Sequence, residues 1–198
     1  RLVLAAGSTH GEEEMVMQRV AEGLRRRRER DLLLILAPRH PERCEAVAAA
    51  LRRRGARVEN LTALRRQGRR EPLPPGTTLL VDTIGDLEKV YSVADLVFVG
   101  GSLMNRGGQN MLEPAAMARP TFFGPNTWNF ETDVKLLLEA EGAVQVGGEE
   151  ELLERLAWYA ERPGARAQLG ERGRSVILGQ CGATERTLAV LAEAGLLP

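Results

Sequence analysis

The chain has two histidines, His10 and His40, and both stand in the same setting. Each follows an apolar run by a few residues and precedes a stretch of helical length. The first lies in Gly7-Ser8-Thr9-His10-Gly11, followed by Glu12-Glu13-Glu14. Ser8 and Thr9 can cap a coming helix through their oxygens, and acids suit its first turn. Capping leaves His10 and Gly11 unexplained, and a helix start behind a glycine turn is also an anion site. Both readings stand, with Ser8, Thr9 and His10 as candidate contacts to a phosphate or substrate. The second histidine lies in Ala37-Pro38-Arg39-His40-Pro41. Pro41 suits a first helical position. Pro38 and Pro41 stiffen the turn, where the Arg39 guanidinium can grip a phosphate or carboxylate bidentately.

Three further loops carry polar chemistry. Asp82-Thr83-Ile84-Gly85-Asp86 follows an apolar run. Asp86 fits a helix cap, and Gly85 would let a base or ribose approach the backbone. The segment from Gly100 to Pro114 reads GGSLMNRGGQNMLEP. Its two glycine pairs, Gly100-Gly101 and Gly107-Gly108, bracket a polar loop, and a helix is expected from Asn110. Backbone amides of Gly107, Gly108 and Gln109 and the helix start can cradle a phosphate. Glu113, about one turn in, can accept both hydroxyls of a ribose. The last loop, Phe123 to Phe130, brings an aromatic pair, Trp128 and Phe130. Stacking on a base and packing on the domain are both open to them.

These loops need elements to hold them. Apolar runs at 2–6, 32–37, 58–61, 78–81, 96–99, 121–123 and 143–146 read as strands. Helical spacing falls at 12–28, 41–54, 86–92, 110–118 and 129–141, with closing helices at 149–161, 165–178 and 184–194. Continuous apolar strands alternating with helices imply βαβ units and a sheet covered on both faces. The expected fold is α/β, a Rossmann-like, doubly wound parallel sheet, in one domain over residues 1–198. In such sheets ligands lie beyond the carboxyl ends of the strands, where the polar loops fall. Residues 65–75, RRQGRREPLPP, read as an exposed basic loop.

Composition sets the outer bounds. Hydrophobic residues make up 43% and charged residues 27%, a globular balance that excludes a disordered chain. Lys+Arg and Asp+Glu are equal at 27 each, so no net field favours nucleic acid. Cys44 and Cys181 lie far apart without CxxC spacing, so a zinc or redox site has no support. No run approaches the ~18–20 apolar residues that span a bilayer. Arg1 directly before a strand suggests a piece of a longer protein.

Six segments, AGSTHGEEE, LAPRHPER, DTIGDL, YSVADLVFVGGSL, RGGQNMLEPAA and FGPNTWNF, carry a resemblance to the 3-deoxy-D-manno-octulosonic acid (Kdo) transferases of lipopolysaccharide synthesis. They occur in the family's order and cover most of the chain to about Val146. The resemblance implies the C-terminal half of a GT-B glycosyltransferase, with no metal or other cofactor expected. The enzyme would move Kdo from CMP-Kdo to a lipid A precursor at the cytoplasmic face of the inner membrane. Carried over by motif, CMP contacts are expected from Pro38 and Arg39, from Ile84, Gly85 and Asp86, and from Asn110, Met111, Leu112 and Glu113. General base, acceptor site and membrane anchor would lie in a missing N-terminal domain. This chain alone would then be soluble and inactive, with no catalytic residue of its own.

Gln109 stands where the family usually has His, and Asp86 where Glu is common. Two alternatives therefore stay open. One is a GT-B donor domain for another nucleotide sugar, UDP- or CMP-linked. The other is a non-catalytic nucleotide-binding module.

Overall fold

The computed structural model describes residues 1–28, 31–180, 190–192 and 194. Among these, seven strands form one wholly parallel sheet: β1 Leu2–Thr9, β2 Leu32–Pro38, β3 Arg57–Asn60, β4 Thr77–Leu80, β5 Leu96–Val99, β6 Thr121–Phe123 and β7 Val144–Gln145. Their order is β3-β4-β2-β1-β5-β6-β7. Strand side chains alternate between two cores. Leu4, Ala6, Leu34, Leu36, Leu96, Phe98 and Phe122 point to one face. Ala5, Ile35, Ala37, Val97, Val99 and Phe123 point to the other. Leu34, Leu36, Leu96 and Phe98 are wholly buried, each side chain worth roughly 1.5–3 kcal/mol of burial.

Helices cover both faces. α1 Glu13–Arg28, α2 Cys44–Arg53 and α7 Glu149–Ala160 pack on the first core through Met17, Leu24, Leu51 and Leu156. α3 Leu61–Arg66, α4 Leu87–Ser92, α5 Leu112–Ala116 and α6 Glu131–Glu139 cover the second through Leu61, Tyr91, Ala115 and Leu137. α8 Pro163–Gln180 reaches both, with Leu169 on one side and Val176 and Ile177 on the other. The sheet is doubly wound, as expected.

Several local expectations change. β1 runs on to Thr9, with its register slipping between Gly7 and Thr9. The extra residue, Ser8, sits at φ 52°, a conformation costly for a side-chain-bearing residue. Residues 65–75 are not one loop: α3 takes in Arg65 and Arg66. α5 begins at Leu112, not Asn110, and spans five residues, too short to carry much dipole. The helix expected over 184–194 and Cys181 lie largely or wholly outside the described residues. Cys44 is buried against the carbonyl of Val81 at 3.6 Å, and burial pushes its thiol up to about 11.

Candidate functional site

The winding direction reverses beside β1. Strands β2, β4 and β3 lie on one side of it and β5, β6 and β7 on the other. The chain leaves β1 toward α1 on one face and leaves β5 toward α5 on the opposite face. Their loops splay apart and open a crevice at the carboxyl ends of the strands. Arg39 is held at this rim, its backbone N–H donating to the carbonyl of Thr9 at 3.0 Å.

A cavity of about 330 Å³ lies there, lined by Ser8, Pro38, Arg39, His40, Thr83, Ile84 and Gly85. A second, about 430 Å³, is lined by Gly85, Leu87, Tyr91 and Glu113. Gly85 and Leu87 line both, so the two cavities adjoin there and together make up the trough. Ile84 stands 89% exposed on its rim, an apolar surface that a flat ring can cover. The trough collects Pro38, Arg39, Ile84 and Gly85 at one end and Glu113 at the other, from three separate stretches of sequence.

The floor of the site is a buried carboxylate. Glu13 accepts the N–H of His10 at 2.8 Å, of Gly101 at 2.7 Å, of Ser102 at 3.1 Å and of Leu103 at 2.9 Å. It is fully buried. Burial pushes its carboxyl above the usual range, while the N–H donors, Gly101 first, pull it back. The amide nest after β5 therefore already holds an anion, and that anion is internal. Gly100 is required here, because a Cβ would run into the Ser8 carbonyl, Thr9 and the Glu13 carboxylate. The helix-capping account of Ser8 and Thr9 is corrected. The Thr9 hydroxyl donates to Glu14 at 3.0 Å, and Glu13, three residues after His10, ties down the His10 N–H of the loop before the helix. That spacing was the available signal; the bonds to Gly101–Leu103 had none.

Above this floor His10 faces several cations. Its ring meets that of His40 edge-on at 5.5 Å, and Gln109 Nε2 lies 3.4 Å from His10 Nε2. Burial lowers the His10 pKa, and the charges of His40, Arg106, Arg43 and Arg39 lower it further. Arg43 is neutralised by buried Glu14 at 3.0 Å and also donates to the Gly11 carbonyl at 3.2 Å.

Asp86 stands at the start of α4 without capping it, which corrects the expected cap. Its carboxylate takes Arg65 at 2.7 and 2.9 Å, the Thr83 hydroxyl at 2.7 Å and Lys89 at 3.0 Å. These donors, Arg65 foremost, hold its carboxyl well below the usual carboxylate range. Its side chain is committed to shaping the loop that presents Ile84 and Gly85. Arg65 was unforeseen, having been read as part of a solvated loop.

In the segment after β5, Gly107 and Gly108 both have positive φ. The N–H groups of Gln109, Asn110 and Met111 meet no acceptor among the described residues. Asn110 Oδ1 accepts the Leu112 N–H at 3.0 Å, and its Nδ2 donates to Glu113 at 3.1 Å. Glu113 is thereby oriented while still exposed. Met111 is buried in the core, so any ligand contact it makes is through the backbone, and Leu112 packs half-buried against that core. The loop from Phe123 to Phe130 pins the glycine segment: Asn126 N–H reaches the Ser102 carbonyl at 2.9 Å, and Asn129 N–H the Gly107 carbonyl at 3.1 Å. Among the described residues no group of three or more His, Cys, Asp or Glu is gathered to hold a metal ion. No helix there is long and apolar enough to cross a membrane.

No protein-family model matches the chain. It is 35% identical over 193 residues to the 3-deoxy-D-manno-octulosonic acid transferase of Haemophilus influenzae, covering 96% of this chain and 44% of that protein. The chain thus spans less than half the length of this relative. Among solved structures it resembles the C-terminal CMP-Kdo binding domain of WaaA from Acinetobacter baumannii, with TM-score 0.79, 27% identity and 89% of each chain covered. It also resembles MurG of A. baumannii, with TM-score 0.58, 16% identity, and 97% of this chain and 49% of that one covered. The second likeness is one of fold alone.

Proposed function

We propose, from the premise that the chain is a homologue of the C-terminal domain of the Kdo transferases, that it is the donor-binding domain of a GT-B glycosyltransferase and holds CMP-Kdo. One observation carries this reading: the trough at the switch point gathers Pro38, Arg39, Ile84, Gly85 and Glu113 from separate loops. The cytosine would lie against Ile84 and Gly85. The ribose hydroxyls would bond Glu113, and the phosphate Arg39 with the amides of Gln109, Asn110 and Met111. Asp86 would act through the loop it shapes, and Asn110 through Glu113.

Transfer would proceed by attack of an acceptor hydroxyl on the anomeric carbon of the sugar. The bond from that carbon to the phosphate oxygen breaks, and the oxygen keeps the electron pair. Arg39 and the free amides meet that charge where it develops. We read residues 1–198 as one domain. The general base and a lipid A precursor as acceptor are assigned to a further, N-terminal domain of the intact enzyme. That enzyme would work at the cytoplasmic face of the inner membrane.

The test is a calorimetric titration of this chain with CMP, UMP, AMP and GMP. Selective CMP binding that fails in Glu113→Ala supports the reading. A preference for UMP keeps the fold and rejects the donor. Binding of none of the four, by this chain or by the intact enzyme, rejects a nucleotide site here.

A further inference from the structure

We propose that Arg106 and His10, steadied by Gln109, form a second anion subsite next to Arg39, and that it takes the carboxylate of the donor sugar acid. This rests on the donor-domain reading above. The argument is one of matching charges. A nucleoside monophosphate linked to a neutral sugar presents one anion. Linked to a 2-keto sugar acid it presents two, because the anomeric carbon bears both the phosphate oxygen and the carboxylate. The second anion then lies only a few bonds from the first. A site built for such a donor needs two uncommitted cationic groups side by side.

The crevice supplies two. Around His10 stand Arg39, Arg43, Arg106 and His40. Arg43 is spent on buried Glu14 at 3.0 Å, and His40 faces Glu42 at 3.4 Å. Arg39 and Arg106 make no ion pair or side-chain hydrogen bond among the described residues. Glu13, the acid beneath them, is consumed by four backbone N–H groups. Arg39 is in the wall of the trough, next to His40. The His40 ring is 5.5 Å from that of His10, and His10 is 3.4 Å from Gln109, three residues beyond Arg106. The β1–α1 loop closes on the same segment at Gly11, whose side-chain position would contact Met104. Along the crevice Arg39 adjoins His40, whose ring meets that of His10, and Gln109 follows, with Arg106 three residues before it in the same loop. The charge of Arg106 also reaches His10, which it helps to keep neutral. An arriving carboxylate would offset that charge and accept hydrogen bonds from both groups.

The experiment saturates this chain with CMP and then titrates free Kdo and its C1 carboxamide, with binding read by calorimetry and by the NMR shift of the His10 ring. The acid should bind about tenfold or more tightly than the amide, the scale of a charge-assisted contact. Arg106→Met should erase that difference and leave the affinity for CMP within about twofold of the parent chain. The His10 resonance should move with the acid and not with the amide. Equal binding of acid and amide to the parent chain overturns the subsite. Parallel loss of CMP and acid affinity in Arg106→Met overturns it too, since Arg106 would then serve the phosphate. If CMP binds neither the unsubstituted chain nor the intact enzyme, the donor-domain reading fails first and takes this subsite with it.

Discussion

Glu13 Oε2 accepts the N–H of Gly101 at 2.7 Å, so a carboxylate in the first turn of α1 fixes the loop that leaves β5. The two residues lie 88 positions apart and follow β1 and β5, the two strands that flank the crevice. A glycine-rich loop after a strand is commonly an anion nest. Here its first amides are filled from within. The amides left over, at Gln109 to Met111, are displaced along the loop toward Glu113, where a donor phosphate would sit.

Glu13→Gln puts an NH₂ group among four N–H donors. We expect a loss of about 1–3 kcal/mol in urea unfolding, the cost of unsatisfied buried groups, and weaker CMP binding as the loop loosens. Unchanged unfolding would show that the carboxylate is not needed to join the two loops.

Gly100→Ala drives a methyl group into the Ser8 carbonyl, Thr9 and Glu13. Overpacking of this kind costs about 1–3 kcal/mol. A thermal midpoint within a degree of the parent chain would contradict the contact geometry.

Arg39→Ala should weaken CMP more than cytidine, since its proposed partner is the phosphate. Glu113→Ala should weaken both by about 1–3 kcal/mol, the range for a hydrogen bond to a charged group, and should abolish the preference for CMP over 2′-deoxy-CMP. Equal losses of CMP and cytidine in Arg39→Ala would reject the phosphate role. A preference that survives in Glu113→Ala would reject the ribose role.

Asp86→Asn should release Arg65 and Lys89 and reduce affinity for CMP without touching it. The carboxyl of Asp86 is depressed in the folded chain. Its stabilising contribution is present above the ordinary carboxylate value of 3.8 and disappears as pH falls through the folded one. Acid unfolding of Asp86→Asn should therefore be shallower in this range. A curve parallel to that of the parent chain would remove Asp86 from the account.

His10 has a lowered pKa, with burial as the first cause. Its contribution to the stability of the unliganded chain is present above the ordinary value of 6.5 and is lost as pH falls through the folded value. An anion in the crevice favours the protonated ring, so binding of the sugar acid should take up protons and strengthen toward low pH. His10→Gln should flatten both dependences. Proton uptake that persists in His10→Gln would place the titrating group elsewhere.

The sequence by itself determined the layers of this protein and the ends of the strands that carry chemistry. Apolar runs such as 32–37 and 96–99 could be buried only in a two-faced sheet, and the polar residues at 38–40, 82–86 and 107–113 had to fall at its rim. Periodicity and turn chemistry are local, so they read directly. The tertiary structure decided which rim residues meet. Arg65 finds Asp86 across 21 positions and Glu13 finds Gly101 across 88. Neither pairing leaves a local trace, because a first-turn glutamate and a loop arginine look the same whether solvated or buried against a partner. Asp86 and Asn110 were read as helix starts and, by resemblance, as CMP contacts; the structure sets Asp86 among Arg65, Thr83 and Lys89, and Asn110 against Glu113. That difference arises from strand order: inserting β4 between β2 and β3 brings α3 to the trough, and no pattern along the chain encodes that placement.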